Sequence, residues 1–477
     1  MTVTGADTEA MRAARTAAEP YADLVELRLD SMAQPDPEGT LAGRQKPVIV
    51  TCRPRREGGM FEGPEDERLR ILCRAQKLGA EFIDVEWDAP LERYLHRRGG
   101  KGVIVSRHIF DRTPADAAAL LDDLLARGAE VGKLAVMTET LADLRTLLHA
   151  VRPDASSVLI GMGACGVATR VLGRRFGSRW TYAGPSIAPG QLPVSRLLQE
   201  FHFRRIEANA AVYGVIGRPV SHSLSPAMHN AGFAARGMNA VYVPLETANL
   251  DGLRALAADL NLKGLSVTIP FKTDVLPLLD AVDETAAAAG AVNTIAIKDG
   301  RWIGTNTDAD GFLEPLRARV PELRGRRAVI LGAGGAARGV GLALRKQGAT
   351  VAIAARRGDA ARQVAAAIGC DVAEWPPAQR SWDLLVNATP AGSRAQPGMP
   401  CDVLLDGGDG QVVYDLVYDP APTALMRAAE ASGLTVLGGL DMLVAQAERQ
   451  FEIWTGGRPP RGLFAQAAGD AIRSRAI

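Results

Sequence analysis

Cysteine is scarce in this chain. Five thiols, at 52, 73, 165, 370 and 401, make an odd number with no closely spaced pair, which excludes a disulfide framework and a cysteine-built metal centre and fits a reducing cytoplasm. The N-terminus has no basic stretch leading into an apolar run, so no secretory signal is expected. No run of about 18 uncharged apolar residues occurs, which excludes a membrane-spanning helix. Neither sign of charge dominates: 55 Lys plus Arg against 54 Asp plus Glu leave +1, too little for a global field that draws nucleic acid or an anionic membrane. Low-complexity tracts and internal repeats are missing as well, which excludes a repeat array.

What is present is length and order. At ~150 residues per domain, 477 residues predict roughly three folding units. In the first two hundred, β-like runs alternate with helical patterns: DLVELRLD (23–30), PVIVTCR (47–53), EFIDVEW (81–87), VIVSRH (103–108), KLAVM (133–137), SVLIGMG (157–163) and RWTYAG (179–184). With a clipped strand at Met1 to Thr4 they make eight, and the alternation predicts a (β/α)8 TIM barrel over 1–205 whose site lies at the carboxyl ends of the strands.

Several of those strands carry charges where a barrel interior should be apolar. Glu26 and Arg28 lie two apart and share a strand face, as do Asp84 and Glu86. Burying an ion costs several kcal/mol unless it is paired, so the pattern marks a site, with a structural Glu26–Arg28 salt bridge as the alternative. Lys133 opens the apolar strand KLAVM, where desolvation disfavours the ammonium and supplies a neutral amine able to attack a ketone. His108 closes VIVSRH at a strand end.

A polar join over 186–212 leads into a new strand, AVYGVIG, followed by RPVSHSLSPAMHN, where Ser223 and Ser225 precede a helix start. Such serines serve as caps or hold a carboxylate against the helix amides. LSVTIPFKT then places Thr268 and Lys272 at a strand-to-turn junction, and GAVNT and GTNTDADGF contribute Asn293 and Asp308. Near residue 330 the run AVILGAGGAARGVGLAL passes Gly332, Gly334, Gly335 and Ala336 from a strand into a helix, a ready anion site for a pyrophosphate, and ATVAIAARR follows at the distance a Rossmann unit requires. NAD sites of this kind place an acid about 20 residues after the glycines; here Arg356 and Arg357 stand there, which favours the 2′-phosphate of NADP, with the later Asp359 as the alternative.

VELRLD, TCRPRREGGMFEG, EFIDVEW, SRH, KLAVM, MGACGVATR and APGQ resemble the successive motifs of type I 3-dehydroquinate dehydratase. The resemblance implies Lys133 as the Schiff-base lysine, His108 as general acid/base, and Glu86 as the carboxylate that orients the histidine. It also implies Glu26, Arg28, Arg53, Arg170 and Gln191 as contacts to the hydroxyls and carboxylate of 3-dehydroquinate. Ile187 stands where that family has a small hydroxyl residue, four before Gln191.

From 212 to 460 the motif series resembles shikimate dehydrogenase. The resemblance implies a catalytic pair, Lys272 and Asp308, with Ser223, Ser225, Thr268, Asn293, Tyr418 and Gln446 around 3-dehydroshikimate or shikimate. It implies NADPH as cofactor, held by Gly332, Gly334, Gly335, Ala336, Arg356, Arg357, Asn387 and Thr389, and no metal. The expected organisation is a dehydratase barrel over 1–205, a substrate-binding domain over 211–315 completed by 436–477, and a Rossmann domain over 316–435. A reductase acting on the quinate pair and a catalytically silent ligand sensor or repressor are the alternatives. Retention of Lys133, His108, Lys272 and Asp308 and the lack of a basic DNA-reading segment speak against the sensor.

Overall fold

Val- and Ile-rich runs with buried side chains on both faces suit parallel strands flanked by helices. In the computed structural model, which describes residues 1–90, 99–185, 188–405 and 410–475, the first seven strands pair in parallel in sequence order. They are β1 (Thr2–Val3), β2 (Val25–Arg28), β3 (Val48–Thr51), β4 (Phe82–Glu86), β5 (Val103–Ile109), β6 (Val131–Met137) and β7 (Ser157–Met162). Local chemistry starts the helices between them. Asp7 accepts from Ala10 N ahead of Thr8–Ala18, and Thr140 and Asp143 form a capping box ahead of Leu141–His149.

The run RWTYAG, expected as a full strand, is not one. Residues 178–184 instead span from β7 to β1 by single contacts: Arg179 N donates to Ser157 O at 2.9 Å, and Thr2 N donates to Ala183 O at 2.8 Å. The segment ends at Gly184, whose φ of +156° no side chain readily adopts, followed by Pro185, so a ladder cannot propagate. Inside the ring, Ile49, Ile104, Val131 and Val158 pack with Phe82 and Trp180 into an apolar layer. The next inward positions along the strands, Glu26, Thr51, Asp84, Ser106 and Lys133, are polar and buried. Two-residue periodicity thus stacks a polar layer on an apolar one, at the carboxyl ends where barrels keep their sites.

The chain divides into two compact units, Met1–Phe271 and Lys272–Ile477. The first also contains β8 (Ala211–Gly217), β9 (Ala240–Glu246) and β10 (Leu262–Val267), parallel, with β8 between the other two. Arg175 fastens the barrel to this portion, donating to the carbonyls of Ala208 at 3.0 Å, Ala210 at 2.8 Å and also Leu260. Asp259 accepts from Arg145 at 2.7 Å, with His149 at 3.3 Å from the same oxygen.

In the second unit, β11 (Ala281–Val282) lies beside β13 (Arg301–Thr305), which forms a hairpin with β12 (Thr294–Lys298). Asp299 and Gly300, at φ 48° and 76°, give the turn two left-handed residues, as a tight hairpin needs. Six further parallel strands are β14 (Arg327–Leu331), β15 (Thr350–Ala354), β16 (Asp371–Val372), β17 (Leu384–Asn387), β18 (Val412–Asp415) and β19 (Thr435–Gly438). Their order, β16-β15-β14-β17-β18-β19, is the doubly wound dinucleotide arrangement, with the topological switch between β14 and β17. Ala328 and Ile330 bury into the core on one face of that sheet, Val329 and Leu331 into the core on the other. The chain closes with helices Gly439–Thr455 and Leu463–Arg475.

Candidate active sites

The polar layer of the barrel opens into a cleft of about 610 Å³ lined by Glu26, Arg28, Arg53, Glu57, His108, Lys133, Arg170, Tyr182 and Gln191. Lys133 is 5% exposed, yet its surroundings are not the apolar ones its strand suggests: Nζ donates to Asp84 Oδ2 at 2.9 Å and lies 4.5 Å from the Tyr182 ring centroid. Asp84 is gripped in turn by Arg53 at 2.8 Å and by the Ser106 hydroxyl at 2.5 Å. Burial works against its charge, but Arg53 and Lys133 more than offset that and hold the carboxyl well below the usual carboxylate range.

The expected Glu86–His108 pairing is not what the structure contains. Glu86 is fully buried against Arg53, at 2.7 Å, and Arg68. The carboxylate on His108 is Glu57, whose Oε2 accepts from His108 N at 2.8 Å and faces Nδ1 at 2.9 Å, while Oε1 accepts from Trp87 Nε1 at 3.2 Å. The reason is geometric. Glu86 ends β4 on its inward face, where two buried guanidiniums claim both oxygens, whereas Glu57 reaches His108 from the 3₁₀ turn Arg55–Glu57. Burial, with Arg53 and Lys133 nearby, pushes the imidazole well below its ordinary value. With Nδ1–H turned to Glu57, Nε2 is left as the acceptor in the cleft.

Glu26 and Arg28 do not pair either: Arg28 is held bidentate by Asp30 at 2.8 and 2.9 Å, and Glu26 accepts from Thr2 and Thr51 at 2.8 Å each. Arg170 is the cation left over. Only 2% exposed, it has among the described residues one long hydrogen bond, to Pro189 O at 3.3 Å, and its Nε has none. Desolvation alone pulls it down to about 10. Gln191 donates to Thr2 Oγ1 at 3.2 Å and accepts from Ala188 N. Ile187 and its neighbour Ser186 lie outside the described residues.

The second expected site has residues in both units, and each group is described by itself. In the first unit, Ser225 opens helix Ser225–Ala235 with Ser223 Oγ accepting from its N–H at 3.2 Å. Thr268 follows β10 and lies against Gly217, where a Cβ would stand 2.3 Å from its methyl group. In the second unit, Lys272 Nζ donates to Asp308 Oδ2 at 2.5 Å, and Asn293 Nδ2 donates to Asp308 Oδ1 at 2.8 Å. Gln446 Oε1 lies 3.2 Å from the same amide nitrogen. Gly311 permits this, since a Cβ there would come within 2.7 Å of Gln446 Cβ. Tyr418 stands apart: it is half-buried in the loop after β18, and among the described residues it has no hydrogen bond to this cluster.

At the switch point, Gly332 follows β14 with φ +111° and backs directly onto Ala388 O. Gly334 caps helix Gly335–Lys346, and a Cβ on Gly334, Gly335 or Gly339 would meet no protein atom within 4 Å. Exposed Ala336 continues that first turn, so an open glycine surface fronts amides that have no partner inside the helix, a cradle that fits a pyrophosphate. Arg356 and Arg357, just past β15, are exposed and, among the described residues, take part in no ion pair. Asp359 is engaged by Arg362. Asn387, expected to touch the cofactor, does not have the atoms to do so. It is fully buried, its amide donates to Ala391 O at 3.0 Å and Asp415 Oδ1 at 2.8 Å, and its oxygen accepts from Thr389 N at 3.1 Å and Oγ1 at 2.6 Å. It shapes the turn that brings Thr389 to Gly332.

Residues 1–208 match the type I 3-dehydroquinase family, residues 215–295 the shikimate dehydrogenase substrate binding domain, and residues 439–468 the shikimate 5′-dehydrogenase C-terminal domain. The chain is 35% identical to the chloroplastic bifunctional 3-dehydroquinate dehydratase/shikimate dehydrogenase of Arabidopsis thaliana, over 93% of this chain and 79% of that protein. The chain belongs to this bifunctional family. The shikimate dehydrogenase (NADP(+)) of Methanopyrus kandleri is 42% identical over 56% of this chain and 98% of its own length. A shikimate dehydrogenase solved in complex with NADP+ matches with a TM-score of 0.50 at 35% identity, covering 56% of this chain and 97% of that one.

The cleft also holds residues that residue periodicity missed. Glu57 and Tyr182 belong to the cleft, but neither stands on a regular strand. The one signal for Glu57 was the pair Gly58-Gly59 after it. Gly58 is left-handed at φ +76° beneath the Phe110 ring, and a Cβ on Gly59 would overlap Arg53 O, so the glycines mark a turn pressed onto the strand that carries the site.

Proposed function

We propose that the barrel dehydrates 3-dehydroquinate through an imine on Lys133 and that the second half reduces the product, 3-dehydroshikimate, to shikimate with NADPH. Arg170 carries this reading, because a buried cation with almost no partner among the described residues, on the wall that also presents Lys133 and His108, is a socket for a carboxylate. The Lys133 amine adds to the ketone and water leaves, giving a protonated imine that draws electrons from the neighbouring carbon. His108 Nε2 takes a proton from that carbon, then returns it to the departing hydroxyl so that water is eliminated, and a second water hydrolyses the imine. Glu57 holds the ring in the tautomer this requires.

In the reductase, the Lys272 ammonium, fixed by Asp308, gives a proton to the ketone oxygen as the carbon is reduced. Asn293 and Gln446 sit where ring hydroxyls would be read, and Ser223 and Ser225 hold the carboxylate at a helix start. The nucleotide supplies the hydride when bound. The glycine turn and helix Gly335–Lys346 would hold its pyrophosphate, and Arg356 with Arg357 its 2′-phosphate. The domain plan is a barrel over 1–205, a substrate domain over 211–315 completed by 436–477, and a nucleotide domain over 316–435. The five unpaired thiols support a reducing, cytoplasmic setting.

Borohydride with 3-dehydroquinate should add one reduced adduct to the intact chain and abolish dehydration alone. The same adduct on Lys133→Ala would refute the assignment.

A further inference from the structure

Glu57 can orient His108 only if its own carboxylate is held. Its two oxygens are engaged differently: Oε2 takes both the His108 amide and Nδ1, whereas among the described residues Oε1 has a single donor, the indole N–H of Trp87 at 3.2 Å. The residue is 8% exposed. Burial pushes its carboxyl above the ordinary value, while hydrogen bonds from His108 and Trp87 and the charge of Arg53 pull back toward the anion. A buried carboxylate oxygen without a donor would take a proton or turn to find water, and either change withdraws the charge from His108.

Trp87 is placed for this one bond. It follows β4 directly after Glu86, where two-residue alternation sends it away from the inward face that Glu86 occupies. Its backbone N–H donates to Ser106 O at 2.9 Å, which ties it to β5 two residues before His108. The Arg107 guanidinium lies 4.3 Å from the centroid of its ring, holding the indole plane and making its N–H a better donor. We infer that Trp87 is a positioning residue of the dehydratase: it fixes Oε1 of Glu57, so that Oε2 and the carboxylate's charge stay on His108. This rests on the acid/base reading of His108 and names what keeps its partner in place.

The test is Trp87→Phe in the full-length chain, which keeps an aromatic ring for Arg107 and removes the donor. kcat for dehydration should fall about threefold to tenfold, the value of one net hydrogen bond, with KM for 3-dehydroquinate within about twofold. Because the lost bond favoured the anion, the acid limb of the kcat profile should move about 0.5–1 pH unit upward. The other charges on the pair, from Arg53 and Glu86 on Glu57 and from Arg53, Lys133, Asp84 and Arg28 on His108, are unchanged in the variant. In a Glu57→Gln chain the same substitution should lower kcat no further, since the carboxylate it serves has gone. In wild type labelled with 5-fluorotryptophan, the Trp87 resonance should shift over the pH range of that limb, a reading that requires no variant to be active. An unchanged kcat or acid limb in Trp87→Phe, a further loss in the Glu57→Gln background, or a fixed Trp87 resonance overturns the inference. Dehydration that survives His108→Ala overturns the acid/base reading instead, so the two failures are distinguishable.

Discussion

Replacing Arg170 with Met should make the barrel more stable and its chemistry far worse. Arg170 is 2% exposed, with one 3.3 Å contact, and desolvation lowers it from 12.5 to about 10. At 1.36 kcal/mol per pH unit, that fall corresponds to about 3 kcal/mol of native-state cost in holding the charge. The sign follows from proton counting. The folded value lies below the unfolded one, so the cost is fully present at pH 7 and is relieved only as pH rises through about 10. Methionine fills the aliphatic track of the side chain without the charge, and up to about 3 kcal/mol should be recovered. Hydrogen exchange of the β6 and β7 amides isolates the barrel and reads the gain directly. The substrate carboxylate loses its partner at the same time. Truncating one side of a buried charge pair costs on the order of 2–5 kcal/mol, so KM for 3-dehydroquinate should rise at least about 30-fold. Saturating substrate should protect wild-type barrel amides and leave those of the variant unprotected. An Arg170→Met barrel that exchanges faster than wild type, with KM within threefold, would refute the reasoning.

Glu57→Gln should lower kcat for dehydration by about 10²–10³-fold with little change in KM, because the amide can satisfy His108 Nδ1 but brings no charge to stabilise the imidazolium; Glu86→Gln with an equal kcat loss and an intact fold would return the orienting role to Glu86. His108→Ala is expected to abolish dehydration and leave reduction of supplied 3-dehydroshikimate within twofold, and Lys272→Ala the reverse, with circular dichroism as the check on folding. Wild type should use NADPH at least tenfold more efficiently than NADH, and Arg356→Ala should reduce that ratio at least tenfold by weakening NADPH alone; a wild-type preference for NADH would contradict the reading of the β15 end.

The features legible in the sequence were those with a period or a fixed offset. β2, β3, β4 and β7 each fall inside an expected run, β5 runs one residue past VIVSRH and β6 starts two residues before KLAVM, and the polar inward positions Glu26, Asp84 and Lys133 follow from two-residue alternation. The glycine turn after β14 was visible because a left-handed Gly332 and an open helix start leave a compositional mark. What could not be read was pairing across long separations. Nothing local to VIVSRH indicates that its histidine meets a glutamate 51 residues earlier on a 3₁₀ turn, and nothing in EFIDVEW indicates that Glu86 is consumed by Arg53 and Arg68. Asn387 was misjudged for the same reason. Its motif marked the right turn, but only the closed set of four hydrogen bonds shows that its side chain is spent inside that turn.

Arg175 bears on how the two enzymes can be separated in the laboratory. It belongs to the barrel, yet the carbonyls it serves are those of Ala208 and Ala210 in the connecting segment and of Leu260, two residues before β10. A cut for expressing the halves alone, made between Arg175 and Ala208, leaves a guanidinium on one fragment and its orphaned carbonyl oxygens on the other, and removes the Arg145–Asp259 contact as well. Each fragment would then be judged at a face it never shows in the parent chain. Rates measured on such fragments would understate both enzymes, and only point variants in the uncut chain compare like with like.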